Sequence, residues 1–301
     1  MSDFFLGTSS LLTSNVLLSS YPILIKKYIN DISLDTQLLI RVIMYIALAI
    51  PFMIYAGEAK HIFTSLISPG FIAISIVNLI HIYSSYAGFA ILDAGISMTT
   101  FYSYPIIQVF LSNIFLGAPK ITPTILLSMF GCFLGVAILN ADSIQRFIQE
   151  KTESKKSKEF EGYLFIGIAA LTEAIISVFY KKADLKNAFT SLYTLYAPGL
   201  IFLLVYLFAF SSKISKISLL PSKISILPII FYNMLIGGMG YMLRLYSVTK
   251  IDMKWFSALS FTSAVSAFAL GNFFLGEEIK LQHWIGTAIM FLSIYMMGQG
   301  Q

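Results

Sequence analysis

The chain has 301 residues, of which 57% are hydrophobic and 12% charged, with a formal net charge of +5. Soluble domains carry about 25% charged residues, and here the deficit runs along the whole length, which excludes a separate soluble domain. The positive balance comes from Lys in short loops; it suits an anionic membrane surface and forms no basic patch for nucleic acid.

Residues 62–92, 94–119, 187–212, 224–243, 255–276 and 281–301 contain no Asp, Glu, Lys or Arg. A bilayer core of ~30 Å is crossed by about 20 apolar residues in a helix. Backbone in hydrocarbon must satisfy its own hydrogen bonds, which leaves helices or closed barrels. Barrel strands alternate apolar and polar residues, whereas these runs are continuous. The sequence therefore predicts an all-α membrane protein with ten transmembrane helices, at 4–25, 36–57, 70–92, 95–117, 122–140, 162–182, 188–210, 226–249, 254–276 and 282–299.

The opening Met1-Ser2-Asp3-Phe4-Phe5 lacks the basic region and small-residue cleavage site of a signal peptide, so the first helix is read as retained. It carries Asn15 at its twelfth position. In the second span Arg41 lies near one end, where a long cationic side chain is expected to snorkel to the interface. The third span holds His81 at its twelfth position, with Asn78 and Ser85 on the same helix face and Tyr86 beside it. A polar stripe on a membrane helix points to protein or water rather than lipid. The fourth span brings Tyr102, Tyr104 and Pro105. In the fifth, Gly131 and Gly135 form a GxxxG pattern that allows close helix approach. Its neighbour Cys132 has no partner cysteine in the chain and behaves as a small apolar residue. Pro22, Pro51, Pro105, Pro198 and Pro228 fall within spans and predict kinks.

Residues 142–161 mix ten charges of both signs and read as a solvated linker or short surface helix. They divide the chain into a first five-helix unit, 1–141, and a second, 162–301. The sixth span carries Glu173 at its twelfth position, the same depth as Asn15 in the first. A carboxyl there is a candidate for binding a substrate amine or carrying a proton. The eighth span carries Tyr241, Arg244 and Tyr246, and Arg244 is a candidate ligand for a carboxylate or phosphate. It is also placed to pair with Glu173. The ninth span carries Ser260, and Trp255 and Trp284 stand at span ends as an interfacial belt.

The two halves look related. Asn113-Ile114-Phe115-Leu116-Gly117 ends the fourth span and Asn272-Phe273-Phe274-Leu275-Gly276 ends the ninth, 159 positions later. Repeats with an odd number of spans insert in opposite orientations, an arrangement common in secondary transporters. Setting Tyr83 against Tyr241 also aligns Tyr86 with Arg244. Ten spans put both termini on one side of the membrane. The loops on that side then carry seven Lys against eleven Lys or Arg opposite, a margin due to the central linker, so charge fixes no orientation.

With this layout, the chain resembles the EamA-type drug/metabolite transporter family. The resemblance rests on Arg41 within Leu38-Leu39-Ile40-Arg41-Val42, Tyr104-Pro105, Leu275-Gly276-Glu277, Tyr180-Lys181-Lys182, and Gly131 and Gly286 early in their spans. It implies ten helices built as two inverted five-helix repeats, and a transport role. Two positions depart from the family pattern: the first-half turn reads Leu116-Gly117-Ala118 without an acid, and Ser263 and Ala264 stand where the ninth span often has proline.

The sequence contains no P-loop, no HExxH, no GxSxG and no cysteine pair. The expected function is secondary active transport of a small metabolite by alternating access, with no enzymatic activity and no cofactor or metal. The substrate-binding candidates are Asn15, Asn78, His81, Tyr86, Tyr102, Glu173, Arg244 and Ser260. Both charge signs suit a zwitterion such as an amino acid. The expected partners are that solute, the lipid bilayer, and a coupling proton or exchange substrate; the expected location is a bacterial plasma membrane. A channel or passive facilitator using the same cavity is the alternative. An intramembrane lipid-handling enzyme, with His81 and Glu173 as acid and base, has no nucleophile or metal cluster to support it.

Overall fold

A computed structural model describes residues 2–21, 33–92, 97, 100–149, 153–209, 226–276 and 278–299. Among these residues every regular element is a helix. The first half contains α1 (Asp3–Leu18), α2 (Leu34–Tyr55), α3 (Lys60–Ile67), α4 (Pro69–Ile91), α5 (Tyr104–Leu116) and α6 (Pro123–Leu139). Next come α7 (Ala141–Gln149), α8 (Glu153–Ala183) and α9 (Ala188–Ala209). α10 (Ile226–Phe231) runs through a π-helical segment (Tyr232–Gly238) into α11 (Met239–Lys250). The chain then forms α12 (Met253–Ser260), α13 (Thr262–Leu275) and α14 (Leu281–Gln299).

Local chemistry sets many of these boundaries. Ser2, Ser33 and Thr122 accept hydrogen bonds from the backbone N–H three residues on, capping α1, α2 and α6, and each cap contributes about 1 kcal/mol. Proline opens α4 and α6, where its missing N–H has no intrahelical acceptor. α5 and α13 both end in glycine with positive φ, Gly117 at 69° and Gly276 at 68°. In each, the glycine N–H donates to the Asn carbonyl four residues back, at 3.1 Å. The basic end of α8 ties two helices together. Lys181 Nζ donates to the carbonyls of Ile251, at 2.8 Å, and Thr249, at 3.4 Å, just past and within the last turn of α11.

Five described helices are long and apolar enough to cross a membrane: Leu34–Tyr55, Pro69–Ile91, Lys158–Ala183, Ala188–Ala209 and Met253–Phe274. Tyr104–Leu116, Pro123–Leu139 and Leu281–Met297 are shorter apolar helices. The distribution of polarity is that of a body in lipid. Phe52, Phe63, Phe130, Phe273 and Tyr295 are exposed, while Asn15, Asn78, Glu173 and Arg244 are buried. Trp284, expected at an interface, is also exposed.

Packing runs mainly between the two halves of the chain. α1 packs on α11, α2 on α9, α4 on α8 and α9, α5 on α8, and α6 on α14. In the last pair the Gly131–Gly135 pattern forms an internal seam. A Cβ on Gly135 would stand 2.7 Å from the Gly286 carbonyl, and one on Gly286 would stand 2.6 Å from the Gly135 carbonyl. Only glycine permits this approach of backbones.

Both helices that carry the matching Asn-to-Gly segments are broken before them. Ser103 N–H donates to Thr100 O and Ser103 O accepts from Ile106 N–H, both at 3.1 Å. Phe261 does the same with Ala258 O at 3.2 Å and Ala264 N–H at 3.0 Å. The second break needs no proline. Ser260 Oγ donates to Phe256 O and Thr262 Oγ1 to Leu259 O, each at 2.7 Å. Asn15 Nδ2 reaches the same Leu259 carbonyl at 3.0 Å. Side-chain competition for carbonyls of this kind bends helices.

The charged segment 142–161 is helical where described: α7 covers its start and α8 extends through its end, while 150–152 lie outside the described residues. Pro22 and Glu277 lie outside them as well.

Candidate functional site

The elements that meet between the halves line a cavity of about 100 Å³. α1 contributes Asn15, Leu18 and Ser19, and Tyr21 follows it; α2 contributes Arg41; α4 contributes His81, Ser85, Tyr86 and Phe89. Phe101, Tyr102 and Tyr104 come from the break before α5, Glu173 from α8, Tyr241 and Arg244 from α11, and Ser263 from α13. Helical spacing explains the grouping: His81 and Ser85, and Tyr241 and Arg244, are one turn apart on single faces. Ligand pockets run to about 300 Å³ and more, so the space beside these polar groups is small.

Glu173 forms one pole. Its carboxylate is 3% exposed at residue level and takes Arg244 Nε on Oε1 at 2.6 Å. Tyr241 Oη donates to Oε2 at 2.7 Å, and His81 Nε2 stands 3.3 Å from the same oxygen. Arg244 Nη2 donates onward to Tyr104 Oη at 2.9 Å, and its guanidinium lies over the Tyr104 and Phe256 rings. The expected Glu173–Arg244 pairing is therefore present.

The tautomer of His81 follows from its other contact. Nδ1 is 3.0 Å from Ala169 O, a group that can only accept. The Thr172 hydroxyl, 3.3 Å from Nδ1, directs its proton to the carbonyls of Ile168 and Ala169. Nδ1 therefore carries hydrogen. With Nδ1–H given to Ala169 O, Nε2 faces Glu173 Oε2 at 3.3 Å, where the two atoms are placed to exchange a proton.

Arg41 forms the second pole and corrects the snorkelling expectation. It is 5% exposed and turned inward. The buried stripe of α2 includes Leu38, Arg41, Val42, Tyr45 and Leu48, so the helix register carries the guanidinium into the protein. Nη1 donates to Tyr86 Oη at 3.3 Å and Nη2 to Tyr196 Oη at 3.2 Å. The cation lies over the rings of Tyr21, Tyr45, Tyr86 and Tyr241 at 5.0 to 5.8 Å.

Of the residues singled out from sequence, Asn15, His81, Tyr86, Tyr102, Glu173 and Arg244 line this one cavity. Tyr86 accepts from Arg41. Asn15 donates to Leu259 O and Thr262 Oγ1, tying α1 to the break in the ninth predicted span. Asn78 and Ser260 are buried outside the lining, bonded to Leu195 O and Phe256 O. Sequence reasoning left out Arg41, Tyr21, Tyr45 and Tyr196. The available signal was Arg41 with Tyr45 one turn on, an amphipathic pair on one face of an otherwise apolar helix.

Residues 160–299 match the EamA-like transporter family. With the apolar helices, this match supports an EamA-type membrane transporter. Thirty residues are 50% identical to part of the probable 4-amino-4-deoxy-L-arabinose-phosphoundecaprenol flippase subunit ArnE of Hamiltonella defensa subsp. Acyrthosiphon pisum (strain 5AT). That match covers 10% of this chain and 27% of the relative, little more than a quarter of its length. A solved crystal structure of a protein superposes with a TM-score of 0.73 over 99% of this chain and 97% of its own, at 13% identity, which shows a shared fold.

Proposed function

We propose that this EamA-type protein is a secondary active transporter that moves a small metabolite by alternating access of two inverted five-helix repeats. The repeats are residues 1–141 and 162–301, joined through 142–161. Three features support this division: packing between halves, the paired helix breaks at Ser103 and Phe261, and the paired glycine caps at Gly117 and Gly276. Broken helices that border a midplane site are a recurrent feature of such transporters.

The observation that carries the reading is the buried Glu173–His81–Arg244 cluster on the wall of a cavity. Glu173, Arg244 and His81 form the charged centre, and Asn15, Tyr86 and Tyr102 line the space beside it; Asn78 and Ser260 support the helices around it. A proton passed between His81 and Glu173 is the coupling element of the proposed cycle. When a substrate ammonium group or a change of helix position displaces Arg244, the carboxylate takes that proton or releases it. A zwitterion suits the two charge signs, and a bacterial plasma membrane is the proposed location.

The test is proton-driven uptake and counterflow in proteoliposomes, with a panel of amino acids and small carboxylates. Glu173→Gln and Arg244→Gln are each expected to lower the rate at least tenfold while reconstituting normally. Unimpaired transport by both variants removes the proposed site.

A further inference from the structure

The charges around the cavity do not balance. Its lining carries two guanidinium groups, Arg41 and Arg244, against one carboxylate, Glu173. Arg244 and Glu173 neutralise each other at 2.6 Å. Among the described residues no carboxylate pairs with Arg41, although Arg41 is buried as deeply as its counterpart. Tyrosine hydroxyls and ring faces surround it instead, and these stabilise a cation without cancelling its charge.

The hydrogen bonding of Arg41 is also incomplete. A guanidinium offers five N–H donors. Here Nη1 and Nη2 each meet one tyrosine oxygen, and the buried Nε has no acceptor among the described residues. Tyr86 accepts from Nη1, and its own proton meets no acceptor among the described residues. Both side chains line the cavity. A buried cation with an unfilled donor at an internal void is complementary to an oxyanion, which can accept from Nε–H and from a neighbouring hydroxyl together. Arginine holds its charge at any working pH, so the demand for an anion is permanent.

We propose that the Arg41–tyrosine cage is the subsite for the anionic group of the transported solute, a carboxylate or phosphate held by Arg41 Nε–H and Tyr86 O–H. This rests on the cavity being the transport site. Tyr241 joins the two poles: its ring carries Arg41 at 5.4 Å and its hydroxyl donates to Glu173. A solute bound at Arg41 therefore touches the element that orients the Glu173 carboxylate.

The experiment measures thermal unfolding of the full chain in a neutral detergent, titrated at constant ionic strength. The probes are sodium acetate and inorganic phosphate, with sodium chloride and ethylammonium chloride as controls. A ligand of the folded state raises the midpoint saturably by mass action. The wild type is expected to respond to acetate or phosphate and not to the controls. Arg41→Gln is expected to weaken the response at least tenfold, Arg41→Lys less, and Tyr86→Phe severalfold. A parallel series in micelles doped with phosphatidylglycerol separates the sources. A response to the lipid alone identifies a headgroup, and one to the solutes a soluble anion; either must vanish with Arg41.

Equal responses to all four salts, or undiminished anion affinity in Arg41→Gln, overturn the proposal. Where Arg41→Gln does not fold, undiminished affinity in Tyr86→Phe overturns it instead. The transport reading fails separately: a lost anion response with normal flux in the Glu173 variant rejects the transport site and keeps the anion site. The reverse result rejects the anion site alone.

Discussion

Glu173 and Arg244 are buried to 3% and 6% exposure, and each holds the other in place. Removing one member strands a buried charge, which costs about 3–5 kcal/mol. Glu173→Ala and Arg244→Ala are therefore each expected to lower the unfolding midpoint of the detergent-solubilised protein sharply, and the double Glu173→Ala/Arg244→Ala variant by less than the two singles added. Strict additivity would show that the pair is not coupled. Tyr241→Phe deletes one hydrogen bond to a charged group and should cost about 1.5–3 kcal/mol. The His81 assignment has its own test. In ¹⁵N spectra of labelled protein, Nδ1 should appear protonated; an unprotonated Nδ1 contradicts its assignment as donor to Ala169 O. At this scale the sequence was informative where the residue was rare. A carboxyl, an imidazole and an arginine deep in apolar runs point inward because lipid rejects them. Arg41 escaped because depth along a helix was read without rotation about it. Close to a span end, snorkelling and inward burial look alike until the helix face is known.

The helices themselves were legible to within a few residues where hydropathy decided their ends, as at α2, α4 and α9. Their irregularities were not. The break at Phe261 arises without proline, from Ser260, Thr262 and Asn15 taking carbonyls that the ladder would otherwise use. One of those three lies some 250 positions away in the chain, so no local pattern reports it. The π-helical turn at Tyr232–Gly238 is a second irregularity without a local signal. A Cβ on Gly237 would overlap the hydroxyls of Tyr21 and Tyr45, which are hydrogen-bonded to each other at 2.7 Å beside Arg41. Gly237→Ala must push those rings into the cage. The expected cost is about 1–3 kcal/mol, with a weaker anion response in the titration described above. A variant that unfolds and responds as wild type does would show that the π-turn serves only the helix. Gly286→Ala tests the α6–α14 seam in the same way, since its Cβ meets backbone that cannot rotate aside.

The whole molecule turns its polarity inward, and that inversion fixed its class from composition alone. Topology needs more, because loop charge favours neither orientation. The proposed repeat relation of the halves offers a direct test. Gly117 and Gly276 close α5 and α13, and five predicted spans separate them. An odd number of crossings puts the two turns on opposite faces of the membrane; an even number puts them on the same face. Ala118 and Glu278 lie just beyond these turns and are exposed. The native Cys132 is buried against α14, its Sγ 3.8 Å from Met290 O, so it contributes little background to aqueous thiol labelling. Ala118→Cys and Glu278→Cys, each made separately, should react with a membrane-impermeant maleimide from opposite sides of sealed vesicles, one in intact vesicles and the other only after permeabilisation. Labelling of both from the same side would require an even number of crossings between them. The inverted relation of the repeats would then fail, and alternating access by exchange of two equivalent halves would fail with it. Opposite labelling leaves the two broken helices meeting one cavity from the two faces of the membrane, which is the geometry a site between rocking halves requires.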